Sequence, residues 1–224
     1  MRRIQGKLTW LELNTQRSPD GQEFYRDLFC WEVAQLHVSP WGILPVLKNG
    51  KRAVGHVFLA MDSFVPSQWF VHLSADIDEC AKRALKAGGS TGDRNPIEGF
   101  ATLCGLKDPQ GTDVTLIERA DGDDEGSQPG DAFTAELWAP DADAVVSFYE
   151  ETFDLIARKT ERGWALMKDG EARFFVRTNS LRVRDFPPRW IPYFGSLAVR
   201  ADQRRAQMLG AVQQVEFEEA PGIG

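Results

Sequence analysis

The strongest constraint on the fold of this chain is an internal repeat. The segment LELNT at 11–15 is followed by Phe-Tyr at 24–25, and AELWA at 135–139 is followed by Phe-Tyr at 148–149. Glu12 and Glu136 each precede their phenylalanine by 12 positions, so the two copies lie 124 residues apart. Similarity of this kind predicts one supersecondary unit that is used more than once.

The pattern within each copy predicts a strand, a helix and then further strands. Residues 8–14 alternate in polarity, which places Trp10, Glu12 and Asn14 on one face of a strand. In the first copy we expect a helix over 19–29 and strands over 31–38, 42–48 and 52–60. The pattern restarts with a strand at 69–75, a helix at 77–87 and strands at 101–107 and 112–118. Each half is therefore predicted to contain two βαβββ units, an α+β fold.

A segment without apolar periodicity separates the two copies. Residues 120–131 are rich in Gly, Pro and Asp, which is typical of a linker. This predicts a first domain at 1–119 and a second at 132–224. The net charge of −7 arises entirely after residue 120, because residues 1–120 carry 14 basic and 14 acidic side chains. The charge pattern contains no basic stripe, so nucleic acid is not an expected partner.

Composition narrows the class of protein further. The sequence contains no apolar run near the roughly 18–20 residues that a membrane span needs, and no secretory signal pattern. Cys30, Cys80 and Cys104 are far apart and form no CxxC motif. We therefore expect a soluble, cytoplasmic protein with buried, reduced cysteines and no membrane partner.

Five motifs, in order, carry a resemblance to a known superfamily. They are WxELNT, FYRDLFxWE, NGKRAVG, AxxAGG and DPQGT, spread over 7–118, and the first unit of the second half repeats them over 132–177. Together they resemble the vicinal oxygen chelate superfamily, the glyoxalase, bleomycin-resistance and extradiol dioxygenase group. The resemblance implies pairs of βαβββ modules that curl into cups around small ligands. It also implies, for the enzymes, a divalent metal held by His, Glu or Gln from the first and last strands of each module.

The usual ligand positions of that family are poorly filled in this sequence. The resemblance carries the first-strand positions to Trp10 in one module and to Trp69 or Phe70 in the next. The last-strand positions fall near His56 and at Thr115. Indole and phenyl rings cannot bind a metal, and a divalent ion needs three or four converging N or O donors. We therefore predict no metal and no other cofactor, with a divalent metal as the less favoured alternative.

Glu12, His56 and His72 form a different candidate set in the first cup. They would act as acid and base groups or as a displaced metal site, or they would only line a polar pocket. No histidine follows position 72, so a metal in the second cup is not expected. Glu12 and Glu136 occupy matching positions of the repeat, and both could be structural, for example by accepting tryptophan N–H bonds.

Aromatic side chains occupy many positions that would face the cups. Such rings could stack on a flat ligand, or they could simply form the core. The predicted ligand-binding residues of the first cup are Trp10, Trp41, Phe58, Trp69, Phe70, Phe100 and Thr115. Those of the second cup are Glu136, Trp138 and Trp164.

These observations leave several functions open. The first is metal-independent binding or resistance-type sequestration of a small aromatic or polyketide-like metabolite. The second is an enzyme of the same fold, a lyase, isomerase, cyclase or oxygenase, that uses Glu12, His56 or His72. A pure interaction module is a third possibility, and it predicts no enclosed pocket.

The final module is predicted to be incomplete. Residues 97–99 align with 220–222, and the two strands that follow in the first half have no counterparts. We expect a second domain with two fewer strands. Either the sequence lacks a C-terminal tail, or the second cup has an exposed sheet edge that favours a homodimer.

Overall fold

Strands dominate the structure, a computed structural model that describes residues 2–38, 42–60, 67–123, 127–178 and 188–213. The first half contains β1 (Leu8–Thr15), α1 (Ser18–Phe29), β2 (Glu32–Val38), β3 (Gly42–Asn49), β4 (Arg52–Leu59), β5 (Gln68–Ser74), α2 (Ile77–Lys86), β6 (Ser90–Ile97), β7 (Ala101–Lys107) and β8 (Asp113–Arg119). The second half contains β9 (Ala132–Ala139), α3 (Ala142–Phe153), β10 (Ile156–Thr160), β11 (Gly163–Lys168), β12 (Glu171–Thr178), β13 (Arg189–Phe194) and α4 (Val199–Met208).

Local sequence signals set the ends of the helices. Helix α2 begins after Asp76, whose side chain accepts a hydrogen bond from the backbone N–H of Glu79 at 3.1 Å. Helix α3 begins in the same way after Asp141. Helix α1 has a proline in its first turn and ends at Cys30, which adopts a left-handed conformation. These caps satisfy backbone groups that the helices themselves leave unpaired.

The first eight strands form one sheet with the order β2-β3-β4-β1-β5-β8-β7-β6. Strand β1 runs parallel to β4, and β5 runs parallel to β8. Strands β1 and β5 lie side by side and antiparallel at the centre of the sheet. The four central strands therefore bring together residues from the beginning and the end of both βαβββ units.

The remaining strands form a second sheet with the order β10-β11-β12-β9-β13. Strand β9 pairs with β12 in parallel and with β13 in antiparallel, as β1 does with β4 and β5. The two curled sheets and few helices confirm the predicted α+β class.

The two halves share one hydrophobic core. Helix α2 packs against α3, and one buried cluster includes Cys80 and Leu116 from the first half together with Phe153 and Trp190 from the second. A Cβ atom at Gly89 would lie 2.6 Å from the Phe148 ring and 2.8 Å from a backbone oxygen, so only glycine permits this approach. Burial of such apolar surface is the main stabilising term in folding.

A buried hydrogen bond crosses the same boundary. The Tyr149 hydroxyl donates to Asp108 Oδ2 at 2.9 Å, and the Asp108 carboxylate also accepts the backbone N–H groups of Gln110 and Thr112. The DPQG turn at 108–111 thereby fixes the first half to α3.

Two features of the fold are not predicted by the sequence pattern. The pattern predicts no strand at β6, because its segment STGDRNPI is polar and contains Pro96. Residues 188–213 form β13 and α4, and the alignment of 220–222 with 97–99 lies outside the described residues. Across the described ranges, every helix is too short or too polar to span a membrane.

Candidate functional site

Four polar side chains lie at two adjacent levels of the first sheet. In the parallel pair β1–β4, Glu12 is the register partner of His56, and in the parallel pair β5–β8, His72 is the partner of Thr115. In the antiparallel pair β1–β5, Phe70 lies opposite Glu12 and Trp10 opposite His72, so the two polar pairs are offset by two residues. The first cup therefore contains a polar layer of Glu12, His56, His72 and Thr115.

One carboxylate oxygen of Glu12 faces both histidines. Glu12 Oε2 lies 3.5 Å from His56 Nε2 and 3.8 Å from His72 Nε2. These separations are longer than a hydrogen bond, so Glu12 is near both imidazoles without being hydrogen-bonded to either. The Glu12 side chain is 26% exposed, so it is accessible from the interior of the cup.

Burial shifts the protonation of all three groups toward their neutral forms. Desolvation raises the pKa of Glu12 to about 7. It lowers the pKa of His56 to about 4, and burial with the nearby His56 lowers the pKa of His72 to about 3. Near neutral pH both histidines are uncharged, and Glu12 is divided between its acid and its carboxylate.

Trp10 orients the first histidine. Its indole Nε1 donates a hydrogen bond to His56 Nδ1 at 2.9 Å. Because Nδ1 accepts, the single proton of the neutral imidazole lies on Nε2, the atom that faces Glu12.

His72 has a different environment. It is 2% exposed, and neither of its ring nitrogens has a hydrogen-bond partner among the described residues. Leaving a buried polar group unpaired carries a free-energy cost. A hydrogen bond from a bound molecule to either ring nitrogen of His72 would remove part of this cost.

Aromatic and apolar residues surround the polar layer. The ring of Trp10 meets Phe100 edge-on at 4.8 Å, and both pack with Val46 and Ile117. Phe70 is opposite Glu12 and Phe58 is opposite Asn14 in the strand registers. Phe58 is exposed and Phe70 is half-buried, so both rings can contact a molecule in the cup.

The matching glutamate of the second cup has three hydrogen-bond donors around one of its oxygens. Glu136 Oε2 accepts from Trp138 Nε1 at 2.6 Å, from the Tyr193 hydroxyl at 2.8 Å and from Arg177 Nε at 3.1 Å. The Arg177 guanidinium also lies over the Trp138 ring, 4.4 Å from its centre. Three donors converge on one oxygen of this buried carboxylate, and these contacts of Glu136 and Trp138 stabilise the second half.

Two tryptophans lie on the opposite side of the sheets from the cups, contrary to expectation. Trp69 packs under α1, where its Nε1 donates to the Tyr25 hydroxyl at 2.8 Å. Trp164 donates to Asp143 of α3 at 2.6 Å. Side chains alternate across a strand, so the neighbours Phe70 and Ala165 take the cup-facing positions. Trp41 lies outside the described residues.

The positions that the resemblance implies are divided between the two levels. Trp10 and Thr115 lie at the level of His72, and His56 and Phe70 lie at the level of Glu12. Asn14 follows Glu12 on the same face of β1, opposite Phe58, and was not predicted as a site residue.

Comparison with known proteins gives no match to a family model and none to a curated protein. Solved structures do match. A Mn(II)-bound glyoxalase from Novosphingobium aromaticivorans is 14% identical, with a TM-score of 0.65, over 92% of this chain and 70% of that chain. This chain has the vicinal oxygen chelate fold.

Two further structures with the vicinal oxygen chelate fold match over similar ranges. A mutant 4-hydroxymandelate synthase from Streptomyces coelicolor is 13% identical, with a TM-score of 0.65, over 93% of this chain and 76% of that chain. The 2,2',3-trihydroxybiphenyl 1,2-dioxygenase from Sphingomonas wittichii is 12% identical, with a TM-score of 0.63, over 92% and 80%. The resemblance predicted from sequence is confirmed at the level of the fold.

The metal that this fold holds in a Mn(II)-bound glyoxalase does not fit the first cup as it is arranged. Glu12, His56 and His72 are suitable donor types, and both histidines are neutral. However, across the described residues no group of three or more His, Cys, Asp or Glu side chains could hold a metal ion. The fourth position of the layer is Thr115. We therefore derive no chemical step through a metal.

Proposed function

We propose that the first cup binds a small aromatic molecule and that Glu12 moves a proton on it without a metal, as an isomerase or lyase does. The observation that carries this proposal is the position of one Glu12 oxygen 3.5 and 3.8 Å from two neutral imidazoles. A general base works best when its pKa lies near the operating pH, and burial raises the pKa of Glu12 to about 7.

The proposed step needs no further reactant. An acidic C–H or O–H bond of the substrate breaks, its proton joins the Glu12 carboxylate, and the same proton returns to another atom of the substrate. His56, held by Trp10, presents its Nε2 proton toward the reacting group and stabilises negative charge that develops there. The open nitrogens of His72 offer a further contact to a polar substrate atom.

The exposed ring of Phe58 and the ring of Phe70 support an aromatic ligand, because flat rings stack or pack edge-on with it. The same walls support a second function, sequestration of such a molecule without turnover. Three free cysteines are in keeping with our further proposal of a cytoplasmic location.

Deuterium exchange tests the proposed step. Phenylpyruvate, an aromatic keto acid with an acidic C–H bond, is incubated in D2O containing EDTA with the wild type, with Glu12→Gln or with the exposed control Glu23→Gln. Exchange is followed by proton NMR against a protein-free sample. We expect wild-type and Glu23→Gln protein to accelerate exchange, and Glu12→Gln to lose about 100-fold or more of the acceleration.

Other outcomes contradict the proposal. Phenylpyruvate that binds without accelerated exchange supports sequestration instead. Exchange that disappears in EDTA and returns with Mn²⁺ supports metal chemistry and refutes the metal-free step.

A further inference from the structure

A second cavity lies between the two halves of the chain, on the other side of Trp10 from His56. Its volume is about 590 Å³, within the range of about 300–1,000 Å³ typical of small-molecule sites. The starts of β1 and β4 and the end of β8 form one wall, and the starts of β9 and β12 form the other. Glu12, His56, His72 and Thr115 are not among its lining residues.

Cationic side chains outnumber acidic ones around this cavity. The acidic lining residues are Asp131, Asp169 and Glu171, and the cationic ones are Arg2, Lys7, Arg52, Arg119 and Arg173. Arg52 Nη1 lies 3.2 Å from Asp131, and Arg119 binds Asp121 through two nitrogens while lying over the Trp10 ring. The excess of positive charge favours an anion between the halves.

Arg173 is the unusual member of this set. Its side chain is only 8% exposed, whereas the side chains of its two carboxylate neighbours, Glu171 and Asp169, are 74% and 82% exposed. Nη1 donates to Glu171 at 2.6 Å, and Nη2 is 3.7 Å from Asp169, beyond hydrogen-bond distance.

One nitrogen of this guanidinium has no partner. Nε is buried and makes no hydrogen bond within the described part of the chain. A buried charged donor without an acceptor is unfavourable, and the planar fork of a guanidinium matches carboxylate and phosphate oxygens. Among the described residues, Nη2 also lacks an acceptor within hydrogen-bond distance, so an anion in the cavity would give this guanidinium a further partner.

Apart from Thr9 and Ser127, the rest of the lining is apolar. Phe133 is 46% exposed. Small or aliphatic side chains also line the cavity, namely Ala53, Val54, Ala132 and Ala172. An inorganic ion would leave these apolar surfaces in contact with water. An organic anion with a flat apolar body would cover Phe133 and bury apolar surface, which is favourable.

We propose that this cavity binds a small aromatic anion, with its carboxylate or phosphate group accepting a hydrogen bond from Arg173. Trp10 lies between this cavity and His56, but Glu12, His56 and His72 do not line the cavity, so this proposal does not depend on the proposed function.

Isothermal titration calorimetry at low salt tests the site with three probes of similar size. Phenyl phosphate and benzoate represent the two kinds of anion, and benzyl alcohol is the neutral control. We expect at least one anion to bind to the wild type, with the lower Kd identifying the preferred group, and no binding of benzyl alcohol. Glu12→Gln should bind the anion as the wild type does, which separates this site from the cup.

Two variants locate the binding. Arg173→Leu removes the donor, and Ala172→Glu adds a carboxylate at an exposed position of the same wall without disturbing a buried side chain. The matched control is Arg94→Leu, which removes a strand arginine that pairs with Asp78 and Glu118 outside the cavity.

We expect Arg173→Leu and Ala172→Glu each to weaken anion binding at least tenfold, and Arg94→Leu to leave it unchanged. Should Arg173→Leu fail to fold, as judged by circular dichroism, Ala172→Glu alone decides. No binding of either anion to the wild type, or equal binding to Ala172→Glu and the wild type, would overturn the proposal.

Discussion

The polar layer of the first cup makes a specific prediction about acid stability. The folded pKa values of His56 and His72, about 4 and about 3, lie below the unfolded value of 6.5. Protonation therefore favours the unfolded chain, and the histidines lower the free energy of unfolding as the pH falls below 6.5. Glu12 has the opposite sign, because its pKa rises from 4.5 to about 7 on folding and its protonation stabilises the fold.

The size of each effect follows from the shifts. One pKa unit corresponds to about 1.4 kcal/mol. Between about pH 7 and pH 5 each histidine lowers the free energy of unfolding by about 2 kcal/mol, and Glu12 raises it by about 2 kcal/mol. The wild type should thus lose about 2 kcal/mol through these three groups, whereas Glu12→Gln should lose about 4 kcal/mol.

Urea unfolding at the two pH values measures this difference. The wild type, Glu12→Gln and the exposed control Glu23→Gln have all other titrating groups in common. Differences between them in the pH dependence of the unfolding free energy therefore report on the substituted glutamate. Glu23→Gln should match the wild type. An equal loss of unfolding free energy in the wild type and in Glu12→Gln would contradict the reasoning, because it would show that protonation of Glu12 does not offset the effect of His56 and His72.

Three further predictions concern single contacts. Trp10→Phe removes the hydrogen bond to His56, so we expect a loss of about 1 kcal/mol in urea unfolding and a lower rate in the deuterium-exchange assay. Glu136→Gln takes the charge from a buried carboxylate with three donors, and calorimetry should show a lower melting temperature with an unchanged exchange rate. Tyr149→Phe leaves Asp108 without its hydroxyl donor, and we expect a loss of about 1–3 kcal/mol in one unfolding transition rather than two.

Much of the first cup could be predicted from the sequence, because alternation along a strand is a local property. Trp10 and Glu12 alternate with Leu11 and Leu13, and this pattern alone puts the glutamate on the cup-facing side. The ordered motifs predicted the fold, which the structural comparisons confirm.

The level of each residue could not be predicted, because it depends on pairing between strands that are distant in sequence. Glu12 meets His56 only through the register of β1 with β4. For the same reason the sequence could not show that Glu136 is occupied, since Arg177 and Tyr193 lie 41 and 57 residues further along the chain. Similar positions in a repeat can therefore have different chemistry.

The common core of α2 and α3 has an evolutionary consequence. A substitution at Cys80 or Phe148 changes the packing of both halves at once, so these helix faces can diverge only together. Glu12 and Glu136 belong to separate sheets and have separate partners, so a substitution at one leaves the contacts of the other unchanged. The residues of one cup can therefore change while the shared core, and the other cup, stay as they are.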